Sequence, residues 1–198
     1  MNKPDFDQPR RRAGKRPGRV AALLGLTALL LGSARASGGE PPLTKYQVEA
    51  VFLFNFAKYV DWPPGAFTNA AAPITIGLLG TNPFGDSLQH VAEGKVINGR
   101  PVIIKRLAAD SDFGGCQILF ISDSEASRVG EILAKAGALP ILTVGEDEEF
   151  AQKNGMINFV LKEGKVRLEI DLATAKKAGL TISSHLLAVA DVVKGKSN

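Results

Sequence analysis

Short apolar runs that alternate with helical segments limit most strongly how this chain can fold. Runs typical of buried strands occur at residues 74–80, 117–122 and 140–145, with the sequences ITIGLLG, QILFIS and PILTVG. Each run is followed by residues that favour the start of a helix. Strands that alternate with helices indicate a sheet that is parallel in part and covered on both faces.

The C-terminal part adds an antiparallel element. Two extended arms, at residues 156–161 and 165–170, flank the pair Glu163-Gly164, which is typical of a hairpin turn. Two helices are predicted to follow, one at residues 172–178 and one that Ser183 or Ser184 caps before HLLAVADVV. The predicted fold is therefore α/β, with a mixed, mostly parallel sheet covered by helices on both faces and a C-terminal antiparallel hairpin.

Other local signals predict the remaining elements. Thr44 is expected to cap a helix at residues 45–60 that the sequence WPPG stops, and Asn82 to cap a second helix that Pro83 opens. The pair Asn98-Gly99 predicts a turn before a strand at residues 102–106. A further helix is expected from Ser124 towards Gly137.

The first 36 residues are typical of a secretory signal peptide. A basic segment that ends at Arg19 precedes an apolar run at residues 20–31, and Ala34 and Ala36 supply the small residues of a cleavage site. A bilayer-spanning helix needs about 20 apolar residues, so this run is short for a stable anchor, although an uncleaved anchor remains the alternative. The predicted organisation is a signal peptide at 1–36, a linker at 37–43, one domain at 44–193 and a tail at 194–198.

Removing such a leader changes the charge of the protein. Of the 24 basic and 20 acidic residues, the first 36 residues hold 8 and 2, so the remainder has 16 basic and 18 acidic residues and a formal charge of −2. The basic residues of the leader are therefore the reason why the whole chain has a high isoelectric point. A basic nucleic-acid-binding surface is not expected, and no nucleic-acid partner is predicted.

Cys116 is the single cysteine of the chain. An exported protein with one cysteine cannot form an intrachain disulfide, although an intermolecular disulfide between two chains stays open. Cys116 lies at the start of an apolar strand, where a small buried thiol is the simpler interpretation.

Metal, cofactor and catalytic sites are not indicated by the sequence. His90 and His185 are the two histidines and lie far apart, and the acidic run at residues 146–149 lacks the ligand spacing of a calcium loop. Ser183 and His185 are neighbours on one turn, which is more typical of a helix cap than of a nucleophile and its base. We therefore predict no metal, no cofactor and no catalytic residue.

The segment GLLGTNPFG, at residues 77–85, lies between a predicted strand and a predicted helix. Backbone N–H groups bind anions in that context, but the lysine of a phosphate-binding loop is absent. A plain turn is favoured. A pocket at the strand ends near residues 80–84 remains the alternative that a small-ligand-binding module would need.

The first predicted helix is unusually aromatic. The sequence FLFNFAKYVDWP places five aromatic residues between positions 52 and 62. Apolar side chains cover more of the helix than the stripe of about 100° that packing on one sheet face requires. Two interpretations stay open: a helix sandwiched in the core, or a helix with one face shared with a second protein. Phe54, Tyr59 and Trp62 are the candidate partner-binding residues.

Two long blocks carry a resemblance to a known family. VEAVFLFNFAKYVDWPPGAF begins at residue 48, and GMINFVLKEGKVRLEIDLATAKKAGLTISSHLLAVA begins at residue 155. In this order, with ITIGLLGTNPFGDSL, VINGRPV and CQILFIS between them, they resemble the YfiR-like family from residue 44 to about residue 192.

The resemblance implies a periplasmic α/β protein, often dimeric, that represses a membrane-bound diguanylate cyclase by binding the periplasmic sensor portion of that enzyme. The best-known relatives hold several cysteines whose disulfide state tunes repression. Since Cys116 stands alone, an intramolecular redox switch cannot be carried over. Relatives also have GGMI where this chain has NGMI, and we expect Asn154 to occupy the left-handed conformation there.

The leading hypothesis is a non-enzymatic periplasmic regulator that binds an inner-membrane receptor, with a diguanylate cyclase as the expected receptor and a homodimer as an open option. It would lower cyclic-di-GMP by favouring one conformation of that receptor. The alternative is a periplasmic small-ligand-binding module that feeds a different membrane receptor. An exported hydrolase is a third class, which the survey of sites disfavours.

Overall fold

The computed structural model describes residues 42–108 and 110–194. In chain order the helices and strands are α1 (Lys45–Tyr59), β1 (Val60–Asp61), β2 (Ile74–Leu79), α2 (Ser87–Ala92), β3 (Val96–Ile97), β4 (Arg100–Leu107), β5 (Ile118–Ile121), α3 (Val129–Ala136), β6 (Leu142–Gly145), β7 (Ile157–Lys162), β8 (Lys165–Asp171), α4 (Leu172–Lys177), β9 (Thr181–Ile182), α5 (Ser184–Leu187) and β10 (Asp191–Val193). Short 3₁₀ helices lie at Pro64–Ala66, Asp123–Arg128 and Ala151–Lys153.

The main sheet has eight strands in the order β10-β8-β7-β6-β5-β2-β4-β3. Its centre is parallel, since β2 pairs with β4 and β5, and β6 pairs with β5 and β7, in the same direction. The hairpin of β7 and β8 is antiparallel, and β1 and β9 form a separate two-stranded ribbon. The predicted fold, a mixed and mostly parallel sheet with an antiparallel hairpin, is confirmed.

Two hydrophobic cores lie on opposite faces of the sheet. Successive residues of β5 alternate between them: Ile118 and Phe120 face the core of α1 and α2, whereas Leu119 and Ile121 face the core of α3. Strands buried on both faces require continuous apolar runs, which is why ITIGLL and ILFI lack alternation. The prediction of helices on both faces is confirmed.

Local signals placed several turns and ends correctly. Thr44 forms a capping box with Gln47, whose backbone N–H lies 3.3 Å from the Thr44 hydroxyl oxygen. Asn98 and Glu163 begin two hairpin turns with positive φ angles of 50° and 53°. Asn154 has the left-handed φ of 68° expected for it.

Three predicted helices differ from the structure. Asn82 closes a turn by accepting a hydrogen bond from the Phe84 N–H at 3.0 Å, and α2 begins only at Ser87. The segment expected to start an α-helix at Ser124 is a 3₁₀ helix that Ser122 caps, and α3 follows it. The last predicted helix ends after four residues, because residues 191–193 pair with β8 as the edge strand β10.

The predicted signal peptide at residues 1–36 and the outer parts of the linker and tail lie outside the described residues, so the predicted domain organisation stays a prediction. Among the described helices, none combines the length and apolar character that a membrane crossing requires.

Candidate functional site

The inner face of α1 is core. Ala50, Leu53, Phe56 and Ala57 are fully buried against the sheet, where Phe56 stacks on Phe159 of β7 at a centroid distance of 5.9 Å. These four positions follow helical spacing and form one stripe. The core interpretation of the aromatic helix is therefore right for this face.

The opposite face of α1 presents apolar side chains to solvent. This α1 outer face consists of Val51, Phe54, Asn55, Lys58 and Tyr59. Val51 is 40% and Tyr59 37% exposed, while Phe54 and Asn55 are half-buried. An exposed apolar strip between polar neighbours is a feature of protein-binding surfaces.

Phe54 and Tyr59 lie on different flanks of this outer face. Five residues correspond to about 140° around the helix axis, so the two rings do not share one contact area. Val51 lies between them. Tyr59 is also fixed through its backbone, because its carbonyl accepts a hydrogen bond from the Ser183 N–H at 2.8 Å.

Trp62 belongs to a structural contact rather than to the α1 outer face. Its indole Nε1 donates a hydrogen bond to the carbonyl of Gln117 at 3.1 Å, and its ring meets Phe67 edge-on at 6.4 Å. A cavity of about 190 Å³ lies beside it, lined in part by Asp61 and Arg100. Trp62 and Tyr59 therefore have different surroundings although they are three residues apart. Trp62 makes a structural contact, whereas Tyr59 lies on the α1 outer face.

A buried carboxyl group on α1 was not singled out from the sequence. Glu49 is 1% exposed, and within the described residues no hydrogen-bond donor reaches either of its carboxylate oxygens. The nearest cation, Lys45 Nζ, lies 3.7 Å away and instead donates to Glu146 Oε2 at 2.8 Å. The signal was present, because Glu49 precedes the core residues Leu53 and Phe56 by four and seven positions.

The environment of Glu49 changes its acidity. Burial raises the pKa of Glu49 to about 7, the attraction of Lys45 opposes this rise, and the repulsion of Glu146 adds to it. Burial lowers the pKa of Lys45, but its hydrogen bond with Glu146 and the attraction of Glu49 raise it overall. The cluster joins the first turn of α1 to the residue after β6, so its charge bears on how α1 is held.

The segment at residues 80–84 offers little room for a ligand. Phe84 fills the space above the sheet by packing on Phe120 at 4.7 Å and on Tyr46 at 6.3 Å. The Thr81 N–H is already used by the Ser124 hydroxyl at 2.9 Å. The adjoining cavity, which Asn82 lines, is about 200 Å³, below the 300–1,000 Å³ typical of ligand pockets. The small-ligand alternative stays a prediction.

Ser183 and His185 meet as parts of a helix cap. The Ser183 hydroxyl oxygen accepts the His185 backbone N–H at 3.2 Å and lies 3.3 Å from His185 Nδ1. In the described part of the chain, no third hydrogen-bonding side chain contacts this imidazole. The pair therefore has the geometry of an N-cap.

Cys116 is a buried thiol that is 6% exposed. Burial raises the pKa of this thiol, with Lys105 opposing and Asp112 adding to the effect. A thiol with this little exposure is largely shielded from a second chain, and the intermolecular disulfide that the sequence leaves open stays untested. Between residues 42 and 194, leaving out residue 109, no group of three His, Cys, Asp or Glu side chains could hold a metal ion.

Comparison with known proteins finds a matching family and matching solved structures. A family model described as YfiR/HmsC-like matches residues 46–191. A crystal structure of a conserved domain protein from Vibrio cholerae O1 biovar El Tor strain N16961 superimposes with a TM-score of 0.51 at 15% sequence identity. That match covers 77% of this chain and 61% of the Vibrio chain, and at such low identity it concerns the fold alone. No curated protein matches the sequence.

Proposed function

Because the chain belongs to the YfiR/HmsC-like family, we propose that it is a periplasmic regulator that binds and represses an inner-membrane signalling protein. The family is a regulatory, non-enzymatic one that acts in cyclic-di-GMP signalling and implies interaction with a membrane signalling protein. The finer steps proposed for this chain are export by the leader at residues 1–36, binding to a diguanylate cyclase, and a lower cyclic-di-GMP level.

One observation carries the proposal: the family match runs from residue 46 to residue 191 without leaving out an element between α1 and β10. The match includes the whole α1 outer face. An exposed apolar strip on a rigid helix suits binding to a protein better than catalysis, because catalysis needs converging polar groups.

The proposed mechanism is a shift of a conformational equilibrium in the receptor. A regulator that binds the inactive conformation more tightly than the active one lowers activity by that difference in affinity. Val51 and Tyr59 of the α1 outer face are the side chains available for this contact, since each is more than a third exposed. A homodimer would present two such faces to a dimeric receptor.

The test is the cellular concentration of cyclic-di-GMP in a strain that lacks the gene. The expected result is a rise on deletion that expression of the intact protein reverses, together with recovery of the shortened chain in the periplasmic fraction. An unchanged concentration under several growth conditions would overturn repression of a diguanylate cyclase. A protein that stays with the cytoplasmic fraction would overturn the proposed location.

A further inference from the structure

The strand β4 has an unpaired edge over most of its length. Its inner edge pairs with β2 from Val102 to Leu107, whereas β3 covers its outer edge only at Arg100 and Pro101. One further hydrogen bond, from the Val102 N–H to the Lys95 carbonyl at 3.2 Å, extends this cover. In the part of the chain that the structure describes, no strand pairs with the outer edge beyond that point.

The backbone groups left at this edge belong to Ile104 and Arg106. Since N–H and C=O groups of consecutive residues point to opposite edges of a strand, these two residues point the same way as Val102. An unpaired row of donors and acceptors is a template for one more strand. Its length, residues 103–107, matches a typical strand of about five residues.

The side chains of the same two residues border a groove. Ile104 and Arg106 line the cavity of about 200 Å³ between β4 and α2, together with Leu88 and Gln89 of the helix. A strand added to β4 would project every second side chain over this groove. The edge therefore offers backbone pairing and a shallow groove of mixed polar and apolar lining at one place.

The charge at this edge indicates which kind of partner it can bind. Lys95, Lys105 and Arg106 are exposed, and none of them forms an ion pair or a side-chain hydrogen bond with any described residue. One acidic residue, Asp86, lies at the margin of the groove. Three cations on this edge favour an acidic partner, although the chain after residue 36 has a formal charge of −2.

We propose that the outer edge of β4, at residues 103–107, binds an acidic extended segment of another protein as an added strand. A second copy of this chain paired along the same edge would bring the two sets of cations close together, which opposes pairing. The segments of this chain outside the described residues are also unsuitable, because residues 1–36 hold 8 basic and 2 acidic residues and the tail GKSN carries one lysine. This surface is separate from the α1 outer face, and the inference does not depend on the proposed function.

The test uses an eight-residue peptide that alternates glutamate and valine. The peptide is added to the protein purified from cells in the form in which they produce it. Residue-resolved amide hydrogen exchange is expected to show new protection at Ile104 and Arg106. The double variant Lys105→Glu/Arg106→Glu is expected to bind the peptide roughly tenfold more weakly, because it replaces two positive charges at this edge by two negative ones that repel an acidic strand.

A matched control tests whether peptide binding depends on the charge at this edge or only on the net charge of the protein. Lys176→Glu/Lys177→Glu changes two exposed lysines on α4 by the same amount and is expected to leave binding unchanged. Equal binding of a lysine-valine peptide, or no protection of Ile104 and Arg106 at millimolar glutamate-valine peptide, would overturn the proposal. Protection of the same amides by self-association without peptide would assign the edge to a second copy instead.

Discussion

The indole of Trp62 donates its N–H to the backbone carbonyl of Gln117, 55 residues later in the chain, at 3.1 Å. The Gln117 side chain extends this contact, because its Oε1 accepts the Thr75 N–H at 2.8 Å and its Nε2 donates to the Ala66 carbonyl at 2.8 Å. Together these hydrogen bonds fasten the chain that follows α1 to the start of β2 and β5. Trp62 therefore acts first as a structural residue.

Replacing Trp62 by phenylalanine is expected to lower the free energy of unfolding by about 1–2 kcal/mol. The variant keeps a ring but loses the hydrogen bond and part of the buried area. Tyr59→Phe is the matched control and should change stability by less than about 0.5 kcal/mol, since Tyr59 is partly exposed and no described group bonds its hydroxyl. Urea denaturation measures both. Unchanged stability of Trp62→Phe with lost repression would instead assign Trp62 to a partner.

Tyr59→Asp is expected to abolish repression while the protein stays folded. The Tyr59 side chain is 37% exposed, and the bond that its backbone accepts from Ser183 survives the change. The cost in stability should stay near 1 kcal/mol, mainly because an acid is unfavourable at a helix C-terminus. Cyclic-di-GMP in a complemented deletion strain measures the effect.

Leu161→Asp is the control for Tyr59→Asp. Leu161 is 60% exposed near the tip of the β7–β8 hairpin, so Leu161→Asp introduces the same charge at an apolar surface position that does not belong to the α1 outer face. Repression by Leu161→Asp should match that of the intact protein. If both variants repress normally, the α1 outer face does not bind the receptor. If Tyr59→Asp unfolds, the outer face is part of the core.

Glu49→Gln is expected to stabilise the protein at neutral pH and not at acidic pH. The unfolded chain ionises this carboxyl near its ordinary pKa of 4.5, whereas the folded protein does so only near a pKa of about 7. Between these values the unfolded state binds fewer protons, so stability falls as pH rises and the loss is complete above pH 7. The difference between variant and wild type should grow across this window to the order of 3 kcal/mol.

Urea denaturation of both proteins at a series of pH values checks the Glu49 prediction. Glu93→Gln, which replaces an exposed carboxyl by the same amide, is the matched control. A constant difference for Glu49→Gln would show that the buried carboxyl titrates normally. The window runs from mildly acidic to neutral pH, so the charge of Glu49 beside Lys45 would vary across that range.

The parts of the structure that sequence predicts well depend on neighbouring residues. The helix cap at Thr44 and the turn at Glu163 are specified within four positions, and the structure confirms both predictions. The sequence predicts helix at the residues of β10, and this is wrong because their conformation depends on pairing with β8, about 20 residues earlier. Two other contacts are also long-range: the hydrogen bond from Trp62 to Gln117 and the ion pair of Lys45 with Glu146. The sequence therefore indicates an aromatic, apolar helix but does not indicate which distant residues that helix contacts.

The ring of Phe150 is fully buried between two glycines. A Cβ atom at Gly145, the end of β6, would overlap one edge of the ring, and a Cβ at Gly155 would overlap the other. Gly155→Ala should therefore cost about 1–3 kcal/mol, because Phe150 cannot move without opening the α3 core. Gly130→Ala, in α3 with open space around it, is the control and should stabilise by about 0.5–1 kcal/mol. Thermal unfolding of both variants compares them, and equal midpoints would show that the ring has room that the structure does not give it.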